Sequence, residues 1–330
     1  MTFYDGIYPF YPQQQTHFIF NLDLLTVILV FLVLVATFLI ILPGIRGKSR
    51  PFWMFRIILS LFIGAVIVAV NFTSDWAAAS VKTNTTYKSF SSAFVSAEVG
   101  LHIGLSGINV TLKGSPVEQL NETIDYNEVF RWTDILDKDY TDALERGLPN
   151  PILYIAEKFT INSPCGLYHQ YRYSGRYASA CMWTAFCCWL VANVLFSLPV
   201  ILYAGYMMLA TGTFVFFSLA SFATVQNVPV CTFNVGTVSF QTHFSVSFWL
   251  SLATGVLCFL IGISVVILDC WMPERIREAF SVGVDDPDED SSLIGCYLND
   301  SFLDEGNPLP PENVTLTVIR RIIFAIYSKR

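Results

Sequence analysis

NLDLLTVILVFLVLVATFLIIL, residues 21–42, decides the fold. As a helix rising ~1.5 Å per residue, about twenty consecutive apolar side chains cross a hydrocarbon core of ~30 Å. Its one ionisable residue, Asp23, stands at the outer edge. The run is too long for a cleavable leader. No Lys or Arg precedes it and no small-residue cleavage pattern follows, so it reads as a spanning helix that is retained. Four further runs have the same character: 52–70, interrupted only by Arg56, then 178–200, 203–224 and 244–268. Pro199 and Gly205 break the third run from the fourth. The composition agrees: 54% of the 330 residues are hydrophobic and 14% are charged, against about 25% charged in soluble domains. A soluble globule could not cover that much apolar surface. The prediction is a membrane all-α bundle of five transmembrane helices.

Charge sets the orientation. Arg46, Lys48 and Arg50 crowd the connector 43–51, with Arg56 just beyond, and Arg275 and Arg277 follow the last span. Basic residues in short flanks mark the cytosolic side. An odd number of spans then leaves the N-terminal arm 1–20 outside and the tail 269–330 in the cytosol, so the two signals agree. The stretches 71–177 and 225–243 are extracellular loops.

The long loop is patterned as a domain. YKSFSSAFVSAEVGLHIGLSGINVTLK, residues 87–113, alternates apolar and polar residues, which predicts two or three strands with a turn at Ser106–Gly107. Residues 133–148 carry apolar side chains at helical spacing, with Thr133 as N-cap and Gly147 at the end, and 151–159 continues as a second short helix. VPVCTFNVGTVSFQ, 228–241, reads as a strand or hairpin joining the same sheet. The expected product is a mixed, β-rich extracellular domain. N-x-S/T acceptor sequences occur at Asn71, Asn84, Asn109 and Asn121. Asn71 abuts the second span, so Asn84, Asn109 and Asn121 are the expected glycosylation sites. Asn299 and Asn313 also match, but on the cytosolic side, where they stay bare.

Of eight cysteines, only Cys165 and Cys231 fall in extracellular loops. An oxidising compartment favours disulfides; the two bond either to each other or to cysteines of a partner. Cys181, Cys187, Cys188 and Cys258 lie in spans as small apolar fillers, and Cys270 and Cys296 are cytosolic. None of the four histidines lies within a span, so the axial ligand pairs of a transmembrane haem carrier are missing. The C-x3-H spacing of Cys165 and His169 has no second pair to complete a zinc site. No phosphate-binding glycine loop or nucleophile elbow is present, and no basic nucleic-acid footprint, so no cofactor and no catalysis are expected. The spans carry no midplane charges, which fits a scaffold better than a transport path. In the arm, Tyr8, Pro9, Phe10 and Tyr11 form either a docking element for a groove on another protein or an aromatic anchor at the membrane surface. The tail holds an acidic run, DDPDED at 285–290, expected to be solvated and disordered, and ends in a mixed apolar and basic stretch suited to the inner leaflet lipids.

Several strings carry a resemblance: YPFYP (8–12), ILPGIRGKSR (41–50), LNETIDYNE (120–128), EKFTINSPCGLYHQY (157–171) and ATGVLCF (253–259). Through them the chain resembles the dual oxidase maturation factors, nearest the first of that family's two paralogues. The resemblance implies a non-enzymatic partner of dual oxidase, the Ca²⁺-regulated NADPH oxidase with a peroxidase-like ectodomain. Such a partner promotes the oxidase's exit from the endoplasmic reticulum, its delivery to the plasma membrane and its hydrogen peroxide production, and it remains in the complex. It also implies that the last four helices and the extracellular sheet are claudin-like in layout, although the claudin W-G-L-W signature is absent. It implies glycans on Asn84, Asn109 and Asn121, disulfides from Cys165 and Cys231 to the oxidase, and docking by the arm around Tyr8, Pro9 and Phe10. A claudin-like adhesion or junction protein acting through the extracellular loop is the competing expectation.

Overall fold

A computed structural model of the chain describes residues 22–41, 50–88, 93–120, 122–132, 136–161, 163, 166–198, 200–226, 233–236 and 238–272. In chain order these form α1 (Leu22–Ile41), α2 (Arg50–Phe72), β1 (Ala77–Thr86), β2 (Phe94–Ile103), β3 (Gly107–Gln119), β4 (Glu122–Arg131), α3 (Leu136–Glu145) and α4 (Asn150–Lys158). Then follow α5 (Leu167–Phe196), α6 (Ile201–Gln226), β5 (Phe233–Val235), β6 (Val238–Phe240), β7 (His243–Phe244) and α7 (Val246–Trp271). Five helices, α1, α2, α5, α6 and α7, are long and apolar enough to cross a membrane, and the chain is a multi-pass membrane protein. None of the residues of α1 is buried, though nearly all are apolar. A helix apolar all round is stable only where its surroundings are apolar too.

Small and hydroxylated residues bring the other four spans together. Gly205 and Gly212 of α6 face Gly262 and Gly255 of α7: a Cβ on Gly262 would lie 3.1 Å from the Gly205 carbonyl, and one on Gly212 3.2 Å from that of Gly255. Such seams let backbones approach where burial alone gives no net drive. The α5–α6 contact is tied by reciprocal bonds, Ser174 donating to the Ser221 carbonyl at 2.7 Å and Ser221 to that of Ser174 at 3.3 Å.

The loop domain is an antiparallel sheet in the order β4-β3-β2-β1-β7. One face is apolar. Val99, Leu101 and Ile103 of β2 and Ile108, Val110 and Leu112 of β3 are all fully buried. Each such side chain contributes about 1.5–3 kcal/mol by leaving water. Two strands lie outside the predicted stretch. β1 reads AAASVKTNTT, where alanines mask the alternation, and β4 reads ETIDYNEVFR, whose outward residues are polar. The predicted turn is present, with the Gly104 N–H donating to the Gly107 carbonyl at 2.8 Å. Gly147, at φ +68, follows α3. Thr133 lies outside the described residues.

Two expectations are corrected. The second loop does not join the sheet as a hairpin: β5 and β6 pair with each other as a separate two-stranded sheet, and only β7 adds to β1. The helix expected over 178–200 begins at Leu167, inside the stretch assigned to the loop. Hydropathy marks where a helix enters an apolar medium, not where it starts. The earlier turns bury Leu167, Tyr168, Tyr171, Ser174 and Gly175 at helical spacing against protein, and a Cβ on Gly175 would sit 2.6 Å from the Leu105 carbonyl of the sheet.

Trp76 joins bundle and sheet. It is fully buried, its indole N–H donates to the Val70 carbonyl at 3.0 Å, and its ring lies 5.1 Å from Phe222 and 6.4 Å from Phe248. Trp76→Ala is expected to cost about 3–5 kcal/mol, as deletion of a core aromatic does, and thermal unfolding of the detergent-solubilised chain reads the loss as a lowered midpoint.

Candidate partner-facing surface

The strand register sorts the sheet's residues by face. Ala78, His102, Asn109 and Val129 form one cross-strand row on the face opposite the core, and Lys82, Glu98, Lys113 and Asp125 form another. Asn84 belongs to this outer face, opposite Ser96, and is exposed. Asn109 is half-buried between His102 and Val129. Both therefore project away from the apolar core. Asn71, by contrast, is buried in the last turn of α2; its amide donates to the Ile67 carbonyl at 3.2 Å and accepts from Ser179 at 3.0 Å. The remaining expected site residues, Tyr8, Pro9, Phe10, Tyr11, Arg46, Lys48, Asn121, Cys165, Cys231, Arg275 and Arg277, lie outside the described residues, and Arg50 is the first residue of α2.

Described residues on the sequence flanks of Cys165 and Cys231 meet in one aromatic cluster. Phe159, at the end of α4, stacks on Phe233 of β5 at 5.7 Å and lies 6.0 Å from Tyr171 of α5. Trp132, just past β4, stacks on Tyr171 at 6.2 Å and meets Tyr168 at 6.3 Å. Aromatic pairs at these separations contribute about 0.5–1.5 kcal/mol each beyond area burial.

The early start of α5 produces a surface that the sequence reading missed. His169, Tyr173 and Tyr177 follow one another at four-residue spacing and so share a helix face. All three are exposed, Tyr173 at 58% and Tyr177 at 67%, and His169 stacks on Tyr173 at 6.3 Å. Gly175, on the opposite side, abuts the sheet turn, so this ridge flanks the loop domain. The signal lay in the sequence HQYRYSGRY, 169–177, and becomes legible once a helix is read from Leu167.

Beneath the sheet a polar network holds the end of β1. The Tyr87 hydroxyl donates to Glu122 at 2.9 Å and accepts from that of Tyr126 at 2.8 Å, and the Lys88 ammonium donates to both Glu122 oxygens at 2.9 Å. On the core face, the Glu128 carboxylate accepts from Arg146 at 3.2 and 3.4 Å, tying α3 to β4. A groove of about 420 Å³ opens beside the β5–β6 hairpin, lined by Thr85, Tyr140, Leu144, Tyr154, Glu157 and Asn234. Burial, then the nearby Glu157 carboxylate, pushes the Tyr140 phenol above its ordinary range. Among the described residues no three His, Cys, Asp or Glu side chains converge to hold a metal ion.

Burial, then the Tyr126 and Glu122 hydrogen bonds and charges, raises the Tyr87 phenol well above its ordinary 10.0. A raised phenol favours the folded state while it is neutral; that contribution is complete below pH 10.0 and is lost as pH rises beyond it. Alkaline unfolding followed by circular dichroism is therefore expected to be steeper above about pH 10 in the wild type than in Tyr87→Phe, which at neutral pH is less stable by about 1–2 kcal/mol for the lost hydrogen bonds.

The family model described as "Dual oxidase maturation factor" matches residues 10–284. The chain is 54% identical over 288 residues to dual oxidase maturation factor 2 of Mus musculus, covering 87% of this chain and 90% of that protein. It is 54% identical over 289 residues to dual oxidase maturation factor 1 of Xenopus tropicalis, covering 87% and 94%, and 52% identical over 302 residues to dual oxidase maturation factor 2 of Homo sapiens, covering 91% and 94%. Relatives named for either paralogue reach 54% identity.

Proposed function

Because this chain belongs to the dual oxidase maturation factor family, we propose that it associates with a dual oxidase in the endoplasmic reticulum membrane and accompanies it to the plasma membrane. It stays there as a non-enzymatic subunit that sustains hydrogen peroxide production. The observation that carries the reading is the extent of the match, which takes in the loop domain and all five spans rather than one motif. The arm and the loop domain face the exoplasmic side and the tail the cytosol, in keeping with the basic flanks at Arg46, Lys48, Arg50, Arg275 and Arg277.

On that orientation, Asn84, Asn109 and Asn121 carry glycans; the outward projection of Asn84 and Asn109 supports this. The aromatic ridge Tyr173–Tyr177 and the arm around Tyr8, Pro9, Phe10 and Tyr11 present rigid aromatic area to the oxidase ectodomain, the kind of side chain that dominates protein interfaces. Cys165 and Cys231 lock the contact as disulfides to the partner. Phe159 touches both Phe233 and Tyr171, residues on the sequence flanks of the two cysteines, which supports a bridge between Cys165 and Cys231 as the alternative. Covering the partner's apolar surface removes a cue for its retention.

A second reading draws on one feature. A single strand from the second loop, β7, extends the sheet made by four strands of the first, which supports a claudin-like layout and, with it, an adhesive role through self-association. Co-expression separates the two. With dual oxidase, the chain is expected to convert the oxidase's glycans to endoglycosidase-resistant forms and to raise surface peroxide output; no change in either sinks the maturation role, and cell aggregation without oxidase would favour adhesion. The double variant Tyr173→Ala/Tyr177→Ala is expected to weaken co-purification of the oxidase about 5–30-fold, the effect of truncating an interface aromatic, while leaving the thermal midpoint unchanged. On non-reducing gels, a high-mass band holding both proteins is expected to weaken in Cys165→Ser and in Cys231→Ser and to vanish in the double variant; its absence from the wild type assigns the pair to an internal bridge.

A further inference from the structure

The outer face of the sheet carries two histidines in one row. Ala78 of β1 stands directly opposite His102 of β2 on one side and His243 of β7 on the other. Residues directly opposite one another share a face. Both imidazoles therefore rise on the side away from the core, with an alanine methyl between them. At ~4.8 Å from strand to strand, their Cα atoms are about 10 Å apart. Both histidines line a trough of about 520 Å³, together with Ala78, Ser80, Ser239 and Gln241. Ala78 and Ser80, on the strand between the histidines, are short, which leaves room for the trough to form there.

The two rings are held differently. His102 Nδ1 lies 2.8 Å from a carboxylate oxygen of Asp75. An ionised carboxylate only accepts, so Nδ1 donates, and in the neutral ring Nε2 keeps its lone pair. A Cβ on Gly100, which stands opposite Ser80, would lie 3.6 Å from that Nε2, so the nitrogen lies low over the sheet in the row of the trough residue Ser80. Metal-binding histidines are commonly held in this way: one nitrogen donates to a carboxylate, which fixes the tautomer and the ring and makes the other nitrogen a better ligand. His243 is exposed on the outermost strand, only two residues long, and has room to turn its ring over Ala78.

We propose that His102 and His243 together bind a divalent transition-metal ion, Zn²⁺ or Cu²⁺, above Ala78, with Asp75 as the positioning residue for His102. Imidazole nitrogen suits these ions and holds Zn²⁺ at about 2.0–2.1 Å. Water and the neutral oxygens of Ser239 and Gln241 complete the coordination. Two imidazoles make an open, exchangeable site, unlike the closed four-ligand sites of structural zinc. The ion joins two parts of the chain. His102 belongs to the four strands of the first loop and His243 to the second loop, where β7 meets β1 through two residue pairs just before α7. Asp75 already serves this junction, since its carbonyl receives the Ser247 N–H at 3.2 Å. A metal held by both histidines clamps the second loop onto the sheet and stabilises the folded chain by mass action.

The test uses the full-length chain in neutral detergent micelles, with Zn²⁺, Cu²⁺ and Mg²⁺ as probes and titration calorimetry and the thermal midpoint as readouts. Zn²⁺ is expected to bind and to raise the midpoint, and Mg²⁺, which prefers oxygen ligands, to do neither. His102→Ala and His243→Ala are each expected to weaken Zn²⁺ by about tenfold or more, and Asp75→Asn by about tenfold, the usual effect of losing a ligand's outer partner. One equivalent of Cu²⁺, held more tightly than Zn²⁺ by such ligands, reports its donors by electron paramagnetic resonance. Coupling to imidazole nitrogen is expected in the wild type and lost in His102→Ala/His243→Ala. Zn²⁺ affinity unchanged by His243→Ala overturns the site, as does nitrogen coupling that persists in the double variant or an equal midpoint rise with Mg²⁺. Affinity unchanged by Asp75→Asn overturns the role given to Asp75. If His102→Ala does not fold, His243→Ala, on the exposed outermost strand, decides alone.

Discussion

Trp76 is the point on which the two halves of the molecule depend. Its backbone N–H bonds the Ile103 carbonyl of β2 at 3.0 Å, and its carbonyl receives the Ser245 N–H at 3.0 Å at the start of α7. Its indole bonds the last turn of α2 and its ring fills the space between α6 and α7. One residue thus meets three helices and a strand at the level where the membrane-spanning bundle gives way to the sheet. A neighbouring pair, Thr73 and Ser247, joined through their hydroxyls at 2.8 Å, ties the same ends together. The sheet is thereby held on the bundle by geometry rather than by a linker.

Among the described residues, the ion pairs Lys82–Glu98, Lys88–Glu122 and Arg146–Glu128 all lie in the loop domain. In an apolar medium, burial of Leu and Phe gives helices no reason to associate. Close backbone approach at Gly205, Gly212, Gly255 and Gly262, a few hydroxyl–carbonyl bonds, and the packing of Gly64 beneath the Trp189 ring supply it instead. α1 takes no part in this seam. It contributes no buried residue and stands at the margin of the bundle, with Phe31 and Phe38 turned toward its neighbours.

The five spans were legible because a helix in lipid must be apolar over its whole crossing, and that requirement writes itself into the sequence from residue 22 onward. The sheet was half legible. β2 and β3 alternate large apolar residues, whereas β1 buries Ala77 and Ala79 and β4 buries Glu128 beside Ile124, Tyr126 and Phe130. Burial of an alanine or a paired carboxylate leaves no hydropathic trace, because what compensates it, the sheet packing or Arg146, lies elsewhere in the chain. The three added turns of α5 escaped for a related reason. A helix that leaves the membrane and rests on protein buries tyrosine, serine and glycine as readily as leucine. The aromatic ridge of Tyr173 and Tyr177 was hidden with it, although its four-residue spacing is plain once the helix is known.

The distribution of chemistry along the bundle axis follows from these constraints. Middle sections of the described spans carry no charged side chain. Polar and aromatic groups gather at the two ends. At one, the sheet, the Tyr87 network and the exposed face of α5 form a platform, on whose outer rows Lys82 meets Glu98 and His102 meets Asp75. At the other, Arg56 and Trp53 are held against aromatic rings beside an apolar cavity. A shaft with two differentiated ends suits the binding role proposed for the chain: the platform exposes Tyr173 and Tyr177, and Arg50 and Arg56 stand in the first turns of α2 at the opposite end.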